Sequence, residues 1–108
     1  MKIVLPTLAL ALCTLAAPSL VFAQNTPAQT LYVRSLAATC ANCHGTDGRA
    51  VQGSKVVSIA GMDKNYLVTQ LNAFKSGARP ATVMHQISKG YSDAQIDVLA
   101  GYFSAQKK

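Results

Sequence analysis

The chain has 108 residues, of which half are hydrophobic, ten are Lys or Arg and four are Asp or Glu, with a net charge of +6 at pH 7. This length accommodates one small domain, and because tryptophan is absent and aromatic residues are few, protein side chains alone form a thin core. The basic residues are scattered and are not interleaved with aromatic ones, which argues against nucleic-acid binding.

The first residues have the pattern of a secretory signal peptide. An apolar run follows Met1 and Lys2, and the stretch that ends at Ala23 has the small residues typical of a cleavage site. We therefore expect cleavage after Ala23 to remove residues 1–23. The alternative is a retained membrane anchor, but the apolar run is short for a membrane span of about 20 residues, which favours cleavage. After removal of the signal peptide, the mature domain, 24–108, is expected not to span a membrane. Without Lys2, nine basic residues remain against four acidic ones, a net charge of +5.

The mature chain begins with a predicted helix. Proline is favoured at the first helical position, so the helix should start near Thr26 and Pro27 and run into Cys40. Three glycines in 45–54 indicate a loop. The apolar segment 56–60 has no hairpin partner, so we interpret it as an extended segment lying over a cofactor.

Three further helices are expected downstream. Asp63 is a good N-cap for a helix that Gly77 ends, and a short helix follows over residues 81–88. Ser92 and Gln95 have the spacing of a capping box at the start of a last helix. The apolar stripe of that helix consists of Ile96, Leu99, Ala100 and Phe103. The whole pattern predicts an all-α fold.

Cys40, Cys43 and His44 form a C-x-x-C-H string, which is the attachment signature of a c-type haem. Two thiols three positions apart lie on the same side of one helical turn, where both can form thioether bonds to a single haem. The histidine that follows is then placed as an axial iron ligand. The sequence therefore predicts one covalent haem c.

Two other sites share part of this pattern. A zinc site needs a second pair of ligands, but no cysteine follows Cys43, and the only other histidine is His85. A thioredoxin-like redox pair should follow a buried strand, whereas residues 31–38 have a helical pattern. Both alternatives are weaker than covalent haem.

The second axial ligand of the iron has three candidates, Met62, Met84 and His85. A methionine would raise the reduction potential and a second histidine would lower it. Met84 and His85 are adjacent, so on a helix they point about 100° apart and only one can face the iron. Spacing does not choose between them.

The chain from residue 24 onward resembles a class I c-type cytochrome. The matching residues are 40–45, 60–61, 66–67, 70–71, 74–77, 91–93, Ile96, 99–100 and 102–103. Within that family, the segment 79–86 is similar to the small cytochrome subunits of flavocytochrome c sulfide dehydrogenases.

The resemblance implies a small fold in which helices wrap around one haem c, with His44 and Met84 as the axial ligands. It makes His85 a polar neighbour near the haem edge and Met62 a loop or packing residue. One departure matters, because related cytochromes often have a proline before the Ala60-Gly61 pair, in a region whose backbone carbonyl orients the proximal histidine. Which carbonyl orients His44 is left open.

The function implied is electron transfer with no catalysis of its own, in the periplasm. The expected partner is an FAD-containing, sulfide-oxidising flavoprotein that passes electrons to the haem, and scattered basic residues offer a docking rim for an acidic redox protein. One alternative is a free soluble carrier between respiratory complexes. Another is a haem-based ligand binder or peroxidase with a detachable Met84, although no arginine and histidine constellation supports peroxide chemistry.

Overall fold

Residues 26–108, the part of the chain that a computed structural model describes, form four α-helices. The helices are α1 (Pro27–His44), α2 (Lys64–Ser76), α3 (Met84–Lys89) and α4 (Asp93–Ser104), and a short 3₁₀ turn, Thr46–Gly48, follows α1. This range contains no strand, so the predicted all-α fold is confirmed. None of its helices is long and apolar enough to cross a membrane. The predicted signal peptide, residues 1–23, lies outside the described residues.

Side chains cap the starts of three helices. Thr26 accepts a hydrogen bond from the Gln29 amide at 3.2 Å in α1, and Asp63 accepts one from the amide three residues ahead at 2.9 Å in α2. In α4, the Ser92 hydroxyl and the Gln95 side chain each accept a bond from the other residue's amide, at 3.2 and 2.9 Å. Each cap satisfies an amide that the helix itself leaves without a partner.

Two boundaries differ from the prediction. The predicted loop 45–54 contains the 3₁₀ turn, in which Asp47 adopts a left-handed conformation (φ 54°). The third helix begins at Met84 instead of residue 81, and Val83 at its N-cap makes no side-chain hydrogen bond. Thr82 and Val83 are β-branched, which disfavours helix.

The core lies where α4 packs against α1 and α2. Its buried members come from three helices and are Ala37, Leu67, Leu99, Ala100 and Phe103. Ala37 and Ala100 have side chains of one carbon, which allows α1 and α4 to approach closely. Two ion pairs, Lys64 with Asp97 and Lys75 with Asp93, both at 2.8 Å, join α2 to α4 at the surface.

We expect Leu99→Ala in the haem-containing protein to lower the free energy of unfolding by about 2–5 kcal/mol, because it leaves a cavity in the core. Leu99 is 1% exposed, whereas Val51 is 75% exposed. The control Val51→Ala should therefore change stability by no more than about 0.5 kcal/mol. Chemical denaturation followed by circular dichroism measures both, and equal losses would contradict the position of α4 in the core.

Candidate haem site

A cavity of about 240 Å³ opens between the helices and the segment that links the 3₁₀ turn to α2. Its wall is mainly apolar, and much of it is formed by Ile59, Leu67, Leu71, Phe74, Leu99 and Phe103. Ile59 and Val57 lie in the segment 56–60, for which the sequence predicted a position over a cofactor. The cavity is therefore the candidate haem site, and what matters for each predicted haem residue is its position relative to it.

Helix α1 brings part of the C-x-x-C-H string to the cavity. Cys40 and His44 are one helical turn apart, and both line the cavity, whereas the side chain of Cys43 is exposed. Burial raises the pKa of the Cys40 thiol above its ordinary value, with a smaller opposing effect from the Thr39 hydroxyl. Reactive redox cysteines have lowered pKa values, so this environment does not favour thioredoxin-like chemistry.

One hydrogen bond fixes the orientation of His44. Its Nδ1 lies 2.7 Å from the carbonyl oxygen of Val57. A carbonyl only accepts, so Nδ1 carries the proton in this contact, and the lone pair is on Nε2, as in histidines that ligate metals. The proline that this chain lacks is therefore not required, because Val57 provides the carbonyl that the sequence left unassigned.

The Val57 carbonyl is held in turn by the backbone around Gly48. The Gly48 carbonyl oxygen accepts hydrogen bonds from the Ile59 amide at 2.8 Å, the Ala60 amide at 3.1 Å and the Ser58 hydroxyl at 2.9 Å. Gly48 has φ +80°, and a Cβ there would come within 2.8 Å of the side chains of Ile59 and Phe103. Glycine is therefore needed at this close approach.

The three candidates for the second axial ligand differ in whether they border the cavity. Met84 lies in the first turn of α3 and lines the cavity together with Met62, while His85 does not line it. Met62 also packs against the buried core cluster. Of the adjacent pair Met84 and His85, the methionine is therefore the residue whose side chain borders the cavity.

Arg79 supplies a cation to the cavity wall. Its guanidinium donates to the Gln70 side chain and lies over the Phe74 ring, 4.6 Å from the ring centroid. A mainly apolar cavity with a thiol, an imidazole, a thioether and one guanidinium has the chemistry that a haem with two propionates needs. By contrast, no group of three His, Cys, Asp or Glu residues within 26–108 is arranged to hold a metal ion directly.

The turn that follows His44 is held by Tyr102 of α4. The Tyr102 hydroxyl donates to Asp47 at 2.5 Å, and Arg49 donates to the Lys107 carbonyl at 2.9 Å. The hydrogen bond to Asp47, together with burial, raises the pKa of Tyr102. The protonated phenol therefore ties the turn after the histidine to the last helix.

Several residues of the site have no sequence signal for their role. Arg79 and Tyr91, which both line the cavity, lie in segments that carry the family resemblance, but the resemblance gives neither a role in the site. The carbonyl of Val57 has no sequence signal at all, since every residue has one. Pairing of aromatic hydroxyls with distant polar groups, as for Tyr102 and Asp47, depends on the packing of α4.

Comparison with known proteins identifies the class. A family model described as cytochrome c matches residues 27–106, so the chain belongs to the cytochrome c family. It is a class I c-type cytochrome that transfers electrons and carries covalent haem c, and Cys40 and Cys43 fit the attachment motif. The predictions of class, fold and cofactor are thus confirmed.

Among particular relatives, the chain is 42% identical over 73 residues to the cytochrome subunit of sulfide dehydrogenase of Chlorobaculum tepidum, covering 68% of this chain and 64% of that protein. It is 33% identical over 87 residues to the thiosulfate dehydrogenase electron acceptor of Stutzerimonas stutzeri, covering 77% and 40%. The structure of cytochrome c4 of Acidithiobacillus ferrooxidans matches with a TM-score of 0.57 and 36% identity, covering 61% and 37%. The chain thus spans less than two thirds of the length of these relatives.

The Tyr102 contact predicts a pH dependence of stability. Because the pKa of Tyr102 is raised in the folded state, its contribution to the free energy of unfolding is fully present below the unfolded pKa of about 10. That contribution is lost as pH rises through the folded pKa. The difference in unfolding free energy between the wild type and Tyr102→Phe should therefore be constant from about pH 7 to about pH 9 and shrink above about pH 10. Lysines titrate in both proteins and cancel in this difference; a difference that stays constant above about pH 10 would contradict the contact.

Proposed function

We propose that His44 and Met84 are the axial ligands of a haem attached through Cys40 and Cys43. The observation that carries this proposal is that His44 and Met84 border the same cavity, with His44 Nδ1 held by the Val57 carbonyl at 2.7 Å. The bound haem supplies one-electron redox chemistry.

The protein's own residues set the conditions for that chemistry. The apolar wall excludes water, which stabilises the less charged state of a buried redox centre and limits reorganisation. Arg79 is the cationic partner for a propionate, because it is already held in the wall by Gln70 and Phe74. The Val57 carbonyl fixes the tautomer of His44 and raises its basicity as a ligand.

The ligand assignment predicts opposite results for two adjacent residues. Met84→Ala should remove the iron–sulfur charge-transfer band, lower the reduction potential by on the order of 100 mV and allow added cyanide to bind, since ligand identity spreads haem potentials over about 0.8 V. His85→Ala should keep the band and shift the potential far less. Redox titration with absorption spectroscopy measures both. A wild-type protein that lacks the band, and in which His85→Ala but not Met84→Ala lets cyanide bind, would make the second ligand a histidine.

We further propose that residues 1–23 direct export to the periplasm and that the mature protein serves a flavoprotein that oxidises sulfide. The support is the similarity to the cytochrome subunit of sulfide dehydrogenase at 42% identity. A free carrier is the second candidate, since another relative is described as an electron acceptor for thiosulfate dehydrogenase. If the partner is the sulfide-oxidising flavoprotein, electrons pass one at a time from its flavin to this cytochrome.

Exposed apolar side chains next to the site support a lasting partner. Val56 and Val83 adjoin the cavity residues Val57 and Met84 in sequence, and they are 37% and 56% exposed. Permanent interfaces are larger and more apolar than transient ones, so an apolar surface at this position suits a subunit better than a free carrier.

Native purification should yield the cytochrome, with its N-terminus at Gln24, in complex with a flavin-containing chain at near equal stoichiometry. An apolar interface should survive high salt, whereas docking through scattered lysines should weaken as salt rises. Sulfide should reduce the haem only when the flavoprotein is present.

A pair of variants tests the surface within that experiment. Val83→Asp should abolish co-purification without changing the absorption spectrum, because it places a charge in the proposed apolar contact. Val51→Asp, at a position 75% exposed, is the matched control and should leave the complex intact. A monomeric cytochrome at both salt levels, reduced equally well without a flavoprotein, would leave the free-carrier function.

A further inference from the structure

Tyr91 connects α1, which carries Cys40 and His44, to the turn that follows α3, the helix that carries Met84. It lines the cavity, and its hydroxyl lies 2.6 Å from Oγ1 of Thr39, the residue before Cys40. The Thr39 hydroxyl donates its own proton to the Leu36 carbonyl at 2.7 Å, so it accepts the bond from Tyr91. This hydrogen bond joins α1, at the turn that carries Cys40, to the turn between α3 and α4.

The backbone of Tyr91 is also held. Its carbonyl accepts a hydrogen bond from Lys75 Nζ at 2.8 Å, and the same ammonium pairs with Asp93 at 2.8 Å. Its amide donates to the Ser88 carbonyl at 3.3 Å. The end of α2, the end of α3 and the start of α4 therefore meet at Tyr91, and the Tyr91 hydroxyl adds α1.

Helix α3 depends on such contacts because it is short. It has six residues, and the residue at its N-cap, Val83, supplies no side-chain hydrogen bond. Isolated helices of this length are unstable in water, so the position of α3 is set by its packing against α2 and by the segments on either side. Before α3, the Arg79 amide donates to the Ala73 carbonyl of α2 at 3.0 Å; after α3, the anchor is Tyr91.

We infer that Tyr91 is a positioning residue for Met84, acting through its hydrogen bond to Thr39. The bond ties the turn that follows α3 to α1, which limits movement of α3 on α2, the helix against which it packs, and so keeps the Met84 side chain directed into the cavity. Removal of the hydroxyl leaves the ring in the cavity wall but releases this turn from α1, so that α3 shifts on α2 more often. This inference rests on the proposed role of Met84 as the second axial ligand.

The test measures how fast imidazole binds to the oxidised, haem-containing protein, since imidazole enters only when Met84 detaches. We expect Tyr91→Phe to raise this rate about fivefold, a factor that corresponds to about 1 kcal/mol, the usual net contribution of one hydrogen bond. Thr39→Val should have the same effect from the other side of the bond. Thr39→Ser keeps a hydroxyl and should bind imidazole at nearly the wild-type rate.

A matched control separates positioning from general stability. The Tyr32 hydroxyl, on α1, accepts a hydrogen bond from Gln95 of α4 at 3.3 Å, but Tyr32 does not line the cavity. Tyr32→Phe therefore removes the same kind of hydroxyl from another bond to α1 and should leave the imidazole rate unchanged. Equal rates for Tyr91→Phe and Tyr32→Phe would overturn the inference.

The double variant Tyr91→Phe with Thr39→Val should bind imidazole no faster than either single variant, because both changes remove one shared bond. Additive effects would show that the two residues act separately and would also overturn the inference.

Met84→Ala distinguishes this inference from the ligand assignment. It should bind imidazole much faster than the wild type, and Tyr91→Phe should add nothing in that background. If Met84→Ala is fast but Tyr91→Phe matches the wild type, the positioning role is wrong and the ligand assignment stands. If Met84→Ala binds imidazole no faster than the wild type, both are wrong.

Discussion

The imidazole of His44 is held by one hydrogen bond, from Nδ1 to the Val57 carbonyl at 2.7 Å, and the arrangement of the haem site depends on it. A histidine ligand needs its ring orientation and its tautomer determined before it can present the other nitrogen to a metal. The carbonyl that does this belongs to an exposed segment without secondary structure. That segment is held by three hydrogen bonds to the carbonyl of Gly48, the last residue of the 3₁₀ turn that follows α1. The position of the histidine and the position of its hydrogen-bond partner are thus set by the same short stretch of chain.

The size of the protein explains why the cavity is central to the fold as well as to the function. The buried apolar residues within 26–108 include one aromatic side chain, Phe103, and two alanines of the core cluster carry little apolar area. Single cores of this size provide only a few kcal/mol of stability, and small domains commonly need a disulfide, a metal or a bound group. A haem bonded to α1 and packed against α2, α3 and α4 would bury the apolar faces that these helices turn toward the cavity.

The sequence predicted those features that depend on local chemistry. The starts of α2 and α4 follow from Asp63, Ser92 and Gln95, whose side chains are bonded as their spacing indicates. The predicted start of α3 lies three residues before the observed one, because Val83 gives no capping signal and the helix is positioned by its neighbours. The Val57 carbonyl and the bond between Thr39 and Tyr91, 52 residues apart, arise from tertiary packing, which one sequence does not reveal.

The central claim, that Met84 faces the haem as its second axial ligand, is tested most directly by nuclear magnetic resonance of the reduced, haem-containing protein with methionine methyl groups labelled with carbon-13. A methyl group that lies over the haem is shifted far upfield by the ring current of the porphyrin. The account predicts one such methyl resonance, which persists in Met62→Leu and is therefore assigned to Met84. Loss of the shifted resonance in Met62→Leu, or its absence from the wild-type protein, would contradict the account.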